Sequence, residues 1–340
     1  LTQEEINSIN GGKFIEDCEL RRKFTELKQQ PEYSWLYKMN NNITKQAIKD
    51  ACNAYKKFFK NKVGKPKFKS RRKTKPSFYN DCLKLKFKKD KVLIQKIGWI
   101  RISEPERVTA FVFSNPRIKH DGKYWYISIG VEIEAQTVDL TDESLGVSVG
   151  INNLAVCSNN YIAKNINRDK KVKKQKKKLR RLQRRVLRKY RKYKKGVKIK
   201  KTSNIIKLEK KITLLYRKIA NIRINHIHQT TAAIVKTKPS RVVTENLNIK
   251  KLMKNRHLSK SIKEQGLYNF KTILKYKCKF YGIEFVEVDP SYQSLIKCVV
   301  CGNTKKDLKL SEKPDKCRVC GNTIDKNYQI ALNLSNYRIS

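Results

Sequence analysis

The sequence predicts a multidomain α/β protein: a helical N-terminal segment, a small β-barrel, and an α/β domain that carries a metal-binding insert. Three observations lead there. Apolar side chains recur at helical period within residues 1–62, then alternate at strand period from about 83 to 133. From about residue 141 onward, strand-like and helix-like segments take turns, which implies a sheet layered with helices. Near the C-terminus, two Cys-x-x-Cys pairs separated by 15 residues stand at metal-ligand spacing.

The chain has 340 residues, enough for two or three domains. It carries 80 Lys+Arg against 29 Asp+Glu, a formal net charge of +51. Folding does not require that imbalance, and self-repulsion opposes the compact state, so a polyanionic partner is expected. A membrane surface is the runner-up, but no apolar run approaches 18 residues and no signal peptide is read, so nucleic acid is the expected partner and a membrane is not. A ribosomal or histone-like packing protein is the plainest form of that reading. Of nine cysteines, Cys18, Cys52, Cys82, Cys157 and Cys278 are scattered and read as small buried or half-buried hydrophobes. The remaining four cluster, a usage that points to a reducing, cytoplasmic compartment. The chain opens on Leu1 and not on Met, so a short preceding piece is expected.

In the helical segment the best helix runs from about Ile43 to Phe59. Ile43, Ala47, Ala51, Ala54, Tyr55, Phe58 and Phe59 share one face, and Lys45, Gln46 and Lys49 lie on the other. A basic linker occupies 63–75. Leu83, Leu85 and Phe87, then Val108, Ala110 and Val112, then Trp125, Ile127, Ile129, Val131 and Ile133 alternate with polar neighbours, the last group after the turn His120-Asp121-Gly122. These short strands suggest the barrel, with Trp99 and Trp125 expected in its core. Residues 145–163 read as a hairpin.

Two long helices follow, at about 168–194 and 205–236. Residues 168–201 are dominated by Lys and Arg, with Asp169 their sole acid. An apolar stripe nevertheless runs through Leu179, Leu182, Val186, Tyr190 and Tyr193, matched by Ile205, Leu208, Ile212, Leu215, Ile219 and Ile222 in the second helix. Three-four spacing of this kind predicts an antiparallel hairpin, apolar at its seam and cationic outside. A strand at 241–245, a helix at 261–281, a strand at 284–289 and a last helix from about Tyr328 complete the alternation.

Cys298, Cys301, Cys317 and Cys320 form the two cysteine pairs, each followed by a glycine that permits a tight knuckle turn. Four thiolates at this spacing fit one tetrahedral Zn2+ in a closed, structural site with no position left for catalysis.

Residues 145–160 (LGVSVGINNLAVCSNN), 242–255 (VVTENLNIKKLMKN) and 317–334 (CRVCGNTIDKNYQIALNL) resemble the three nuclease motifs of the transposon-encoded TnpB family. Residues 259–290 match the intervening helix and strand, and 40–60 resemble a helix of the family's recognition lobe. The resemblance covers essentially the whole chain in one order. It implies a RuvC-like (RNase H-like) domain at 141–295 with the basic hairpin at 166–236. A zinc-ribbon insert would follow at 296–322, with the end of the RuvC-like domain at 323–340. A recognition segment at 1–62 and a β-barrel wedge domain at 63–140 would precede them.

The family's chemistry is two-metal hydrolysis of DNA, in which carboxylates bridge the ions. The resemblance maps those carboxylates onto Ser148, Glu245 and Asn327, so only Glu245 keeps its charge. Asp325, two residues along an expected strand, would be displaced by about 6–7 Å, and Asp142 is poorly placed. No catalytic Mg2+ is therefore expected. The combination resembles the nuclease-dead TnpB-like repressors (TldR): a bacterial, nucleoid-associated, guide-RNA-directed protein that occupies a double-stranded DNA target beside a short adjacent motif. Lys45, Gln46 and Lys49, with Lys177, Arg180, Arg181, Arg184, Arg185 and Arg188, are the expected nucleic-acid contacts. The alternative is an active RNA-guided endonuclease with a rearranged metal site.

Overall fold

Helical period in the N-terminal segment becomes α1 (Asp17–Gln29), a 3-10 stretch (Pro31–Lys38) and α2 (Asn41–Phe59). The computed structural model describes residues 15–60, 64–70, 74–108, 112–136, 138–191, 201–288, 292, 297–304 and 315–338. The chain divides into two units, Leu1–Ile133 and Glu134–Ser340.

In the first unit, Asn40 caps α2 by accepting from the Asn42 amide at 2.9 Å, which stops one end donor going unpaired. The inner stripe of α2 runs through buried Cys52 and half-buried Ile48 and Tyr55, and Ala47, Ala51 and Phe59 are exposed, contrary to the face expected from sequence. Alanines bury too little area to orient a helix, and Phe59 is its terminal residue. Cys18 is also exposed, whereas Cys52, Cys157 and Cys278 are buried as expected and Cys82 is half-buried.

Six short strands follow: β1 (Ser77–Tyr79), β2 (Lys86–Lys88), β3 (Lys91–Ile94), β4 (Gly98–Arg101), β5 (Ser114–His120) and β6 (Trp125–Gly130). They pair antiparallel as two three-stranded sheets, β1-β5-β6 and β2-β3-β4. No ladder joins them among the described residues, so the expected barrel is not formed there. Both sheets still bury side chains in one cluster, in which Leu85, Val92 and Ile94 meet Ile118, Phe78 and Ile127. Trp99 and Trp125 lie on the outer strands β4 and β6 and remain 48% and 55% exposed, which corrects their expected place in a core. Val108 follows a 3-10 turn, and Leu83 and Val112 are exposed outside any strand. Ala110 lies outside the described residues.

The second unit is a mixed α/β layer. Its strands are β7 (Thr141–Val149), β8 (Asn153–Cys157), β9 (Ile162–Lys164), β10 (Pro239–Glu245) and β11 (Glu284–Val288). Their order is β11-β10-β7-β8-β9, with β11, β10 and β7 parallel and β8 and β9 antiparallel. The helices are α3 (Lys170–Tyr190), α4 (Ser203–Lys236), α5 (Ile249–Lys254), α6 (Arg256–Gln265), α7 (Leu267–Phe280) and α8 (Lys326–Ser335). The helix expected at 261–281 is two helices, because Gly266 takes a left-handed φ of 73° between α6 and α7. On one face of the sheet, Leu145, Val147 and Val242 pack on Ile227 and Ile234 of α4 and Phe270 and Leu274 of α7. On the other, Val243 and Val288 pack on Ile330 and Leu334 of α8. A two-stranded ribbon, β12 (Asp315–Lys316) and β13 (Thr323–Ile324), flanks the second cysteine pair. No described helix is long and apolar enough to cross a membrane.

Candidate metal centre and nucleic-acid interface

The two cysteine knuckles fold alike. Cys298 N donates to Asn303 O and Gly302 N to Cys298 O; Cys317 N donates to Asn322 O and Gly321 N to Cys317 O, all within 2.8–3.0 Å. Each turn closes on a glycine with φ near 70°, where any other residue would be strained. The four sulfurs lie within 4.8 Å of one another, with Cys298–Cys320 at 3.7 Å and Cys301–Cys317 at 3.6 Å. A tetrahedral zinc with bonds of about 2.3 Å sets its sulfurs about 3.8 Å apart, the spacing that the two short pairs already have. Amides of Cys320 and Val319 point at Cys317 Sγ and lower its pKa to about 6, while burial and the neighbouring sulfurs push Cys320 up to about 11. Two buried amides anchor the first knuckle on α8. Gln329 Nε2 and Asn333 Nδ2 both donate to Lys297 O at 2.8 Å.

Ser148, Glu245 and Asn327 come from three elements, and the fold brings them to one end of the sheet. In the parallel pair β7/β10, Val243 stands beside Gly146 and Thr244 beside Val147. The next positions in register are Glu245 and Ser148, and alternation turns both toward α8. Ser148 is buried and Glu245 half-buried. Gly146 explains how α8 comes so close: a Cβ there would stand 1.9 Å from the Ala331 carbonyl oxygen. Asn327 lies one helical turn before Ala331, on the same face. One of the three positions bears a carboxylate.

Asp325 is not on a strand. It is the N-cap of α8, and its Oδ1 accepts from the Asn327 and Tyr328 amides at 2.9 and 3.2 Å. The displacement expected from strand geometry is therefore replaced by a capping role that ties the carboxylate to its own helix. Asp142 is exposed near the start of β7, six residues before Ser148. Sequence reasoning missed Lys326. It lies on the α8 face that continues through Ile330 and Leu334 against β10 and β11, and its Nζ is buried with no hydrogen-bond partner among the described residues.

The basic hairpin is built as its periodicity predicts. Leu179, Leu182 and Val186 of α3 pack on Leu208, Leu215 and Ile219 of α4. Asp169, the lone acid, caps α3, accepting from the Lys171 amide at 2.7 Å. Lys177, Arg180, Arg181, Arg184, Arg185 and Arg188 are all exposed on the outer side. The hairpin's root is fixed at Glu264, which takes Lys176 at 2.7 Å and Arg223 at 3.6 Å. Burial opposes ionisation of Glu264, but the Lys176 hydrogen bond and the two cations outweigh it and lower its pKa. Tyr193 and the turn at 192–200 lie outside the described residues.

On α2, Lys45 and Lys49 are exposed and Gln46 is half-buried. Gln46 Nε2 donates to Asp50, whose carboxylate takes both terminal nitrogens of Arg117 at 2.8 and 2.9 Å. That fork lowers the Asp50 pKa, and Gln46 helps hold the carboxylate in place.

Comparison with known proteins fits this layout. A family model described as "Cas12f1-like, TNB domain" matches residues 268–334, and one described as "Probable transposase" matches 128–256. The "Putative RNA-guided DNA endonuclease InsQ" of Escherichia coli K12 is 30% identical, over 98% of this chain and 83% of its own length. A "Putative RNA-guided DNA endonuclease" of Streptomyces pristinaespiralis is 25% identical, over 91% and 74% respectively. In a cryo-EM structure of a CRISPR-Cas12f ternary complex, one chain aligns with a TM-score of 0.45 at 17% identity, covering 99% of this chain and 78% of that one.

Proposed function

We propose, from the premise that this chain belongs to the TnpB family of its Escherichia coli relative, that it is a guide-RNA-directed DNA-binding protein that does not cut. In this reading it represses transcription by occupying a double-stranded target beside a short motif. Pairing with the guide supplies sequence, and the protein supplies charge, shape and the motif. Residues 1–62 and 63–140 recognise nucleic acid, 141–295 and 323–340 form the RuvC-like domain, and 296–322 hold the zinc.

The observation that carries the reading is the charge at the sheet end beneath α8. Two close divalent cations repel strongly, and anionic oxygens that bridge them must offset the repulsion. Ser148 and Asn327 offer neutral oxygens, Glu245 offers the only carboxylate of the three, and Lys326 adds a buried ammonium. That set does not fit a two-metal site. Binding, by contrast, has its parts: exposed cations along α3, a net charge of +51, and a four-sulfur zinc centre anchored to α8. The relatives' names favour the alternative, an active RNA-guided endonuclease.

Sequencing the RNA that copurifies with the protein should give a defined guide, and a reporter promoter bearing the matched target should be silenced. Glu245→Ala should silence it equally. Random RNA, or silencing that disappears with Glu245→Ala, would count against the reading.

A further inference from the structure

α7 has two working faces. Leu267, Phe270, Ile273, Leu274 and Cys278 face the core. A second stripe, Tyr268, Lys271, Lys275, Tyr276 and Lys279, recurs at i, i+3, i+7, i+8 and i+11 and lines an open groove of about 540 Å3. Its opposite wall is the segment that follows β10, fixed by Leu247 N donating to Glu245 O at 3.0 Å and Ile249 N to Leu247 O at 2.9 Å. Tyr268 is 68% exposed and Tyr276 50%. The groove lies on the α7 side of the sheet, opposite the α8 side toward which Ser148 and Glu245 turn.

We propose that this groove is a subsite for a single-stranded nucleic-acid segment, its bases stacking on Tyr268 and Tyr276 and its phosphates meeting Lys275 and Lys279. The chemistry is complementary on both counts. A solvated helix face has no need of two half-exposed rings, and rings interleaved with lysines present π-faces to bases and charge to the backbone. Lys271 is engaged by Glu287, at 2.5 Å, whereas Lys275 reaches the same carboxylate only at 3.9 Å. Lys279 is exposed to solvent. The stripe runs over twelve residues of helix, about 16 Å from its first position to its last, so more than one nucleotide is accommodated. A duplex, whose bases are already stacked on one another, cannot use the rings. The inference goes beyond the guide-directed reading, since it requires neither a guide nor a particular state of the metal site.

The test uses the full chain and photo-crosslinking octamers, one of 5-iododeoxyuridine and one of 5-iodouridine, each single-stranded or annealed to a complement. Peptide mapping should place crosslinks on Tyr268 or Tyr276 for single strands and not for duplexes, and the DNA and RNA arms identify which strand is preferred. Tyr268→Ala with Tyr276→Ala should remove those crosslinks and weaken single-strand binding about tenfold per ring. The corresponding Tyr→Phe pair should retain binding, since the ring and not the hydroxyl is used. Lys275→Gln with Lys279→Gln should lower the salt slope by about 0.7 per lysine. Crosslinks confined to other segments, or equal crosslinking of duplexes, would overturn the proposal. So would an alanine pair that binds normally but changes the oligomeric state, which would assign the groove to a second copy of the chain.

Discussion

Gly146 is the residue on which the geometry of the sheet end depends. The Ala331 carbonyl and the Ser335 amide occupy the space a side chain would need, at 1.9 and 2.6 Å from where a Cβ would stand. Both are backbone atoms and cannot rotate away. Gly146→Ala should therefore lift α8 off β7 and destabilise the protein by about 2–3 kcal/mol or more, read as a lower denaturation midpoint. Lys326 makes the opposite case. Its ammonium is buried without a partner among the described residues, so Lys326→Met, which keeps the stem and removes the charge, should raise stability by about 1–3 kcal/mol. A drop instead would mean that the ammonium is satisfied in solution. Neither role is legible in sequence. Gly146 reads as an ordinary strand glycine, and the burial of Lys326 follows from how α8 packs on β10 and β11.

At the scale of elements, legibility follows how local the physics is. The α3/α4 seam is readable because its period is set within each helix, and every described seam residue predicted for α3 is buried or half-buried. The cysteine knuckles are readable because ligand spacing and the following glycines are written within a few residues. The barrel is not, because alternation says which side chains share a face and not which strands pair. The exposed Trp99 and Trp125 follow from that same gap. Asp325 stands directly before the apolar run of α8, a capping signal that strand reasoning passes over. Two predictions belong here. Metal analysis should find about one zinc per chain, and Cys298→Ser with Cys317→Ser should abolish it and loosen the segment held by Gln329 and Asn333, seen as faster proteolysis near residue 297. Neutralising Arg180, Arg181, Arg184, Arg185 and Arg188 should flatten the salt dependence of binding by up to about 0.9 for each phosphate no longer neutralised, with target preference unchanged. A changed preference at constant slope would make the hairpin a base reader.

For the whole molecule, the contrast is between a strongly cationic chain and a sheet end where, of Ser148, Glu245 and Asn327, Glu245 bears a carboxylate. A net charge of +51 favours binding at every site along the chain. Hydrolysis is a local matter, and it depends on what Glu245 has beside it. The most direct measurement is to incubate the guide-loaded protein with matched double-stranded DNA and Mg2+ or Mn2+, resolving complexes and denatured strands in parallel. The account predicts a stable shifted complex with both strands intact, for the unmodified protein and for Glu245→Ala alike. Metal-dependent cutting of matched DNA that Glu245→Ala abolishes would contradict it.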